Sequence, residues 1–537
     1  MAEAQRSNPA GPIAGARPAC WGHSRWRQLG GAILLLLVGL LCARPAPAAD
    51  EPPALAAARE YRSVHGSEIL RELAELVRLP NVAADRPAIR RNAAFLETAL
   101  TRRGLAAEVI ELADAAPIVF AELETPGAQR TLLFYAHYDG QPVDPDQWRH
   151  GAWEPTLYSA AMEAGGRPFR WPSAEEEIDP DWRLYGRSTA DDKAPIIALL
   201  AALDALAAAG LEASVNLKVL LEGEEEAGSP HLARYLDHLG ERLAGDLWLF
   251  CDGPVHQSGR PQLFFGVRGF SGLEITVYGA NRSLHSGHYG NWAPNPSERL
   301  VHLLASMKDE AGRVTVEGFY DSVVPIGEAE RQALDEVPEF EATLRHALGL
   351  AESVGEERYN ERLLLPSLNL RGLAGATVGA TARNVIPSQA TASIDLRLVL
   401  GNDPDELAQK VEDHIRRQGY TIVREAPDDE TRRAHPRLAR VVRQGGYRAV
   451  RTAMDLPAVS DLVAAATAAA GEPVVRVPTL GGSLPLYLFE GRPLIGVPIA
   501  NHDNNQHAPN ENLRLGNLWY GVDLMALLLT LPPAGAE

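Results

Sequence analysis

The sequence predicts an α/β fold: a mixed-sheet α/β domain built from two chain segments, with a smaller α+β unit inserted between them. Three observations lead there. Through the first half, short apolar runs alternate with Ala- and Leu-rich helical stretches, the pattern of a sheet covered by helices. From about Gly266 the runs change to one-sided alternation, separated by amphipathic helices. After Asp428 the first pattern returns.

In chain order, the N-terminus comes first. Arg17, Arg25 and Arg27 precede an apolar run from Gly30 to Cys42, which gives way to small residues up to Ala49. A basic start, a short apolar middle and a small-residue exit describe a secretory signal peptide over 1–49, with the mature chain starting near Ala49 or Asp50. The run is too short to span a bilayer comfortably, so an uncleaved anchor is the lesser alternative. Cys20 and Cys42 leave with that segment, and Cys251 alone remains, so the mature chain relies on burial instead of intrachain disulfides. Five of the 51 Lys and Arg and one of the 70 Asp and Glu fall within 1–49, leaving a formal charge of −23. That balance argues against nucleic acid, or an anionic membrane after signal cleavage, as a partner.

Residues 132–136, 215–221 and 247–251 read as buried strands. Residues 194–210 read as a buried helix, with Pro195 in its first turn and Gly210 as its stop. In the insert, assigned to 266–428, strands are expected over 272–278, 390–399 and 420–425, and helices over 296–308 and 404–419. The stretch 318–361 is charged and helical without a clear place. The first domain is therefore expected over 50–265 and 429–537, with one more strand at 493–499.

The chemistry-bearing residues fall at the ends of these strands. His137 and Asp139 follow one directly, Glu224, Glu225 and Glu226 a second, Asp252 a third, and His502, Asp503 and His507 the last. Asp191 and Asp192 stand just before the buried helix. Each group has a plain explanation alone: a surface pair, a solvated acidic loop, or carboxylates complementing a helix dipole. Open α/β sheets, however, place ligand sites at the carboxyl ends of strands, so all five segments can converge on one mouth. Two histidines among several carboxylates suit a pair of divalent metals, zinc first among them. A secreted binding module stabilised by calcium is the non-enzymatic alternative, although calcium prefers oxygen ligands throughout.

Taken together the motifs resemble those of the carnosinase, carboxypeptidase G and succinyl-diaminopimelate desuccinylase family of co-catalytic zinc peptidases. The matching stretches are Ala136-His-Tyr-Asp139, Tyr185-Gly-Arg-Ser-Thr-Ala-Asp-Asp-Lys193, Leu221-Glu-Gly-Glu-Glu-Glu-Ala-Gly-Ser229, Phe250-Cys-Asp-Gly253, Leu284-His-Ser-Gly287, Asn384-Val-Ile-Pro387, Leu480-Gly-Gly-Ser-Leu-Pro485 and Gln506-His-Ala-Pro-Asn-Glu511.

The resemblance implies two divalent metal ions per subunit, zinc first, with manganese or cobalt as substitutes. Asp191 would bridge them, His137 and Asp252 would complete one site, and Glu226 and His507 the other. Asp139 would steady His137 through its second ring nitrogen, and Glu225 would be the general base, leaving Glu224 a bystander. His507 is preferred over His502 because only it has Asn510 and Glu511 at the family's spacing. Such ions would share a water and lower its pKa, making a bridging hydroxide available for attack on an amide carbonyl. The insert becomes a ferredoxin-like lid that also forms a homodimer, with His285 reaching the partner's active site. Asn384, Arg397 and Ser483 would bind the carboxylate end of the substrate. The implied activity is an exported exopeptidase, a dipeptidase or carboxypeptidase, in the periplasm or outside the cell. An N-acyl amino acid amidohydrolase is the runner-up.

Ser188 and Ala194 stand where relatives usually carry glycine, and the stretch 158–181 is longer than in compact relatives. Either departure bears on substrate size more than on reaction class.

Overall fold

The Ala- and Leu-rich stretch forms the helix Lys193–Ala209, buried continuously from Lys193 through Leu203. Such residues lose little rotamer freedom in a helix. Gly210, at φ 66°, ends it in the left-handed conformation that glycine adopts without steric cost. The computed structural model describes residues 51–482 and 484–533, so the expected signal segment 1–49 and Ser483 lie outside the described residues.

With Pro53–Val77, Pro457–Ala470 and Leu515–Leu529, this helix covers one face of an eight-stranded sheet. The strand order is Ala106–Ile110, Ile118–Leu123, Asn216–Glu222, Thr131–His137, Leu247–Phe250, Leu494–Gly496, Gln262–Phe264, Val475–Val477. The four strands from Asn216–Glu222 to Leu494–Gly496 run parallel. Antiparallel pairings of Ile118–Leu123 on one side and Gln262–Phe264 on the other make the sheet mixed, as expected. Along Thr131–His137, Leu132, Phe134 and Ala136 join the core under those helices, while Leu133 and Tyr135 join a core on the opposite face. With both faces covered, such strands read as continuous apolar runs instead of alternating ones.

A second sheet has five strands in the order Ser367–Ala374, Gln389–Leu398, Gly269–Tyr278, Leu438–Tyr447, Thr421–Val423. Helices Pro296–Ala305 and Pro404–Arg417 pack against it around a core that includes Leu273, Ile275, Ile394, Leu300 and Val411. Here one face is covered, which accounts for the alternation seen from Gly266 onward.

Two expectations are corrected. The second sheet does not end at 428, because Leu438–Tyr447 pairs with Gly269–Tyr278, from Phe270 opposite Tyr447 to Tyr278 opposite Leu438. A strand pattern names no partner, so its membership of one sheet or the other could not be read locally. The charged stretch 318–361 is also not uniformly part of the insert. It forms helices Glu328–Glu336, Glu341–Ala347 and Tyr359–Leu363, and Val337 and Phe340 are buried in the same core as Trp248 and Phe250 of the first sheet.

The long stretch 158–181 packs on the first helix. Arg71 Nη2 donates to the Pro172 carbonyl at 2.8 Å, the Arg78 guanidinium lies 5.9 Å from the Trp171 ring, and Phe169 meets Trp182 edge-on. It braces Pro53–Val77.

Candidate metal centre

The three central parallel strands end side by side, and each delivers a functional group at its end or within four residues of it. His137 is the last residue of Thr131–His137, Asp252 lies two past Leu247–Phe250, and Glu225 and Glu226 open a short 3₁₀ turn just after Asn216–Glu222. Asp191 comes from the loop before Lys193–Ala209, and His507 from the loop after Leu494–Gly496.

Asp191 is the common point. Its Oδ1 is 2.9 Å from His137 Nε2 and its Oδ2 is 3.2 Å from His507 Nε2. Two groups share it: His137, Asp191 and Asp252, and Asp191, Glu226 and His507. Within each, one ligand atom per residue lies within 4.8 Å of the others. His137 Nε2 is 3.9 Å from Asp252 Oδ2, and His507 Nε2 is 3.3 Å from Glu226 Oε2.

Asp139 does more than face one histidine. Its Oδ1 is 3.4 Å from His137 Nδ1, and its two oxygens also accept the backbone N–H groups of Glu225 and Glu226 at 3.0 and 3.1 Å. One buried carboxylate thus holds the histidine and the acidic turn together. Glu224 turns away: its oxygens meet His231 Nδ1 at 2.8 Å, the Ala116 N–H at 3.1 Å and Arg86 Nη1 at 3.4 Å. His502 and His507 are both exposed, and it is His507 that lies against Asp191.

The electrostatics ask for a cation. Burial, with Asp191 beside it, pushes the Asp252 carboxyl up to about 6, and burial with the same neighbour pushes Glu226 up to about 7. Burial raises Glu225 well above the usual carboxylate range; the charge of His137 opposes this, and Asp252 and Glu222 add to it. Asp191 runs the other way, because hydrogen bonds to His137 and His507 outweigh its burial and hold it low. Asp252 Oδ1 is buried without a hydrogen-bond partner. Crowded acids, two imidazoles and an orphaned carboxylate oxygen fit divalent ions bound by mixed nitrogen and oxygen ligands.

The sequence model of peptidase family M20/M25/M40 matches residues 133–531. The chain belongs to this family. It is therefore a metal-dependent peptidase, a hydrolase of amide bonds. This M20 peptidase is 27% identical over 486 residues to the Cys-Gly metallodipeptidase DUG1 of Candida albicans, covering 84% of this chain and 91% of the relative. It is 27% identical over 405 residues to the human Beta-Ala-His dipeptidase, covering 71% and 75% of the two chains. Among solved structures, an M20 family metallo-carboxypeptidase from Sulfolobus solfataricus superposes with a TM-score of 0.69 at 27% identity, over 86% of this chain and 99% of that one. Dug1p of Saccharomyces cerevisiae shares the fold, with a TM-score of 0.68 over 89% and 98% of the chains at 21% identity. Family membership sets aside the calcium-stabilised binding module.

Of the remaining expected residues of this M20 peptidase, His285, Asn384 and Arg397 lie on the insert. His285 is exposed in the short strand Leu284–His285, directly opposite Val385, and the Asn384 carbonyl accepts the Ser286 N–H at 3.0 Å. The sheet therefore brings His285 and Asn384 to one ladder. Arg397 is on Gln389–Leu398, its Nε donating to Asp395 at 2.9 Å and its guanidinium 5.6 Å from the Phe270 ring. Ser483 lies outside the described residues.

Two contacts were not anticipated. Gln141 Nε2 donates to Glu226 Oε2 at 2.7 Å, and Tyr135 Oη donates at 2.5 Å to Glu222, whose carboxyl burial raises to about 8. Gln141 stands two residues past Asp139, so its proximity was the only signal. Nothing in a strand-end glutamate marks it as buried.

Proposed function

We propose that the chain is an exported exopeptidase that cleaves dipeptides or very short peptides, with Glu225 as general base. The observation that carries this reading is the Asp191 carboxylate, which offers one oxygen beside His137 and the other beside His507. Asp191 would bridge two divalent ions, zinc in the first instance. His137 and Asp252 would complete one site, and Glu226 and His507 the other. Bound there, such ions supply Lewis acidity toward the scissile carbonyl and ease deprotonation of a water. Glu225 accepts that proton as the water attacks and returns it to the departing amine. Asp139 keeps Glu225 in place through the backbone bond at 3.0 Å while orienting His137.

Dipeptides are favoured over larger substrates because two of the relatives are named as Cys-Gly and Beta-Ala-His dipeptidases. Arg397, Asn384 and Ser483 would receive the substrate's terminal carboxylate, a task that suits a guanidinium because it can bond both oxygens. His285 would act across a homodimer, steadying the oxyanion in the partner subunit. Export rests on the signal-like segment 1–49 and places the mature enzyme in the periplasm or outside the cell.

The test is to incubate the purified, zinc- or manganese-loaded chain with a mixed library of dipeptides and N-acyl amino acids. Dipeptide cleavage is expected. Release from the acyl substrates alone would move the reading to an amidohydrolase, and release from neither would end both. In the same assay Glu225→Gln should lower turnover by about 10²–10⁴-fold with metal content intact; activity near wild type would remove Glu225 as the base.

A further inference from the structure

We infer that Glu511 is a positioning residue that holds the Asp191 carboxylate in register with His507, a role that rests on the metal-centre reading above. Its side chain is fully buried and accepts from a single loop. Oε1 accepts the N–H groups of Ala190 and Asp191, each at 3.0 Å, and Oε2 accepts the Ser188 N–H at 2.9 Å and Arg187 Nη1 at 2.8 Å. The backbone joins in, with the Gly186 N–H donating to the Glu511 carbonyl at 3.0 Å. The loop that carries the shared aspartate is thus wrapped around one carboxylate.

Glu511 belongs to the other loop, four residues after His507. That loop is itself held, by the Asn512 N–H on the Asn504 carbonyl at 2.8 Å and by the Arg149 N–H on Asn510 Oδ1 at 2.8 Å. Fixing Glu511 against residues 187–191 therefore fixes the distance between Asp191 Oδ2 and His507 Nε2. Both loops hold non-glycine residues in left-handed conformation: Ser188 at φ 63°, His507 at φ 61° and Asn510 at φ 61°. Such conformations are unfavourable and persist where surrounding bonds over-determine them. The four donors on Glu511 supply that determination on the Asp191 side. Arg187, besides bonding Glu511, lies 5.0 Å from the Trp148 ring, which keeps its guanidinium aimed inward.

The chemistry separates positioning from mere filling of space. All four donors are N–H groups, two at each oxygen. A glutamine has the same shape but presents an NH₂ at one end, and whichever way the amide turns, that end faces N–H donors. Glu511→Gln is thus expected to disturb the loop while preserving volume.

Wild type and variants would be stripped with a chelator, and zinc affinity then read by competition with a chromophoric chelator. Thermal midpoints of the stripped proteins and kcat and KM for a cleaved dipeptide complete the set. Glu511→Gln is expected to weaken zinc binding by about 10–100-fold and to lower kcat with KM within about twofold. Glu511→Asp, which keeps the charge but withdraws it by one methylene, should fall in between. If the glutamine variant does not accumulate as folded protein, Arg187→Met decides. It leaves the three backbone bonds in place and should shift affinity the same way by less. Failure of the wild type to take zinc would defeat the metal-centre reading itself. Normal zinc binding by the wild type, with affinity and kcat unchanged in Glu511→Gln and Arg187→Met, would overturn the role of Glu511 alone. A change confined to the thermal midpoint of the stripped protein would overturn that role equally.

Discussion

His137 and His507 face the same aspartate from different surroundings. His137 is fully buried; its burial disfavours the charged ring, but hydrogen bonds to Asp139 and Asp191 outweigh that and raise its pKa well above the usual value. His507 has 54% of its side chain exposed and takes its upward shift first from Asp191. The half-exposed histidine is the better subject for mutation, since its loss leaves no buried hole. His507→Ala is expected to cost about a hundredfold or more in dipeptide turnover and to weaken metal binding. His502→Ala, at an exposed position five residues earlier, should stay within about twofold. Equal losses in parallel assays would mean that the loop, and not the ring, is what matters. Ser188 belongs to the same scale. Its φ of 63° explains why glycine suits this position, and its Oγ, 2.9 Å from Asn81 Nδ2, shows what serine contributes in return.

The loop over 501–512 is the element that most needs anchoring, because it has no helix or long strand of its own to carry His507. Arg183 holds it from the neighbouring strand Arg183–Tyr185, donating to both Asp503 oxygens at 2.9 Å and to Asn512 Oδ1 at 2.8 Å. Burial pushes the Asp503 carboxyl up, but the hydrogen bonds from Arg183 and Asn501 outweigh it and hold the group at about 2. Its folded pKa is therefore depressed below the ordinary value of about 3.9. The pair's stabilisation is full above pH ~4 and disappears as pH falls through the folded value. With 44% of the Asp503 side chain exposed, the contribution is modest. Asp503→Asn should lower the thermal midpoint at pH 7, and the gap to wild type should close between about pH 4 and pH 2. A gap independent of pH in thermal scans would show that the charge is not the cause.

At the scale of the molecule, two sheets have separate cores. Between them, Tyr447 of the second sheet stacks on Tyr487 of the turn Pro485–Phe489, whose Leu486 and Phe489 join the core of the first sheet, with ring centroids 4.6 Å apart and planes 12° from parallel. The centre itself gathers groups from five separated chain segments, and the ion pairs of Asp191, Asp252 and Glu226 among the described residues are with His137 and His507. Bound metal should accordingly stabilise the whole fold by mass action, by about 4 kcal/mol when free metal exceeds Kd a thousandfold. Chelation is expected to lower the thermal midpoint, and added zinc to restore it. A midpoint that ignores both, in calorimetry of the same sample, would argue that no ion is held at this centre.

Local pattern was enough for the elements that carry the site. The strand ending at His137, the strand before Glu225 and the helix after Asp191 announce themselves by apolar runs, a first-turn proline and a stop glycine, all forces that act within a few residues. Chemical type was legible for the same reason: acids and histidines placed just past strand ends have few other uses when they recur together. Which partner each element finds was not legible. Leu438–Tyr447, beyond the boundary expected at 428, joins the second sheet, and the helices after Gly318 partly return to the first sheet. Glu511 appears in a motif, yet its bond to the Asp191 backbone spans 320 positions of sequence. Backbone pairing and side-chain hydrogen bonds at such separations depend on what the rest of the chain has already packed, so only the tertiary structure decided them.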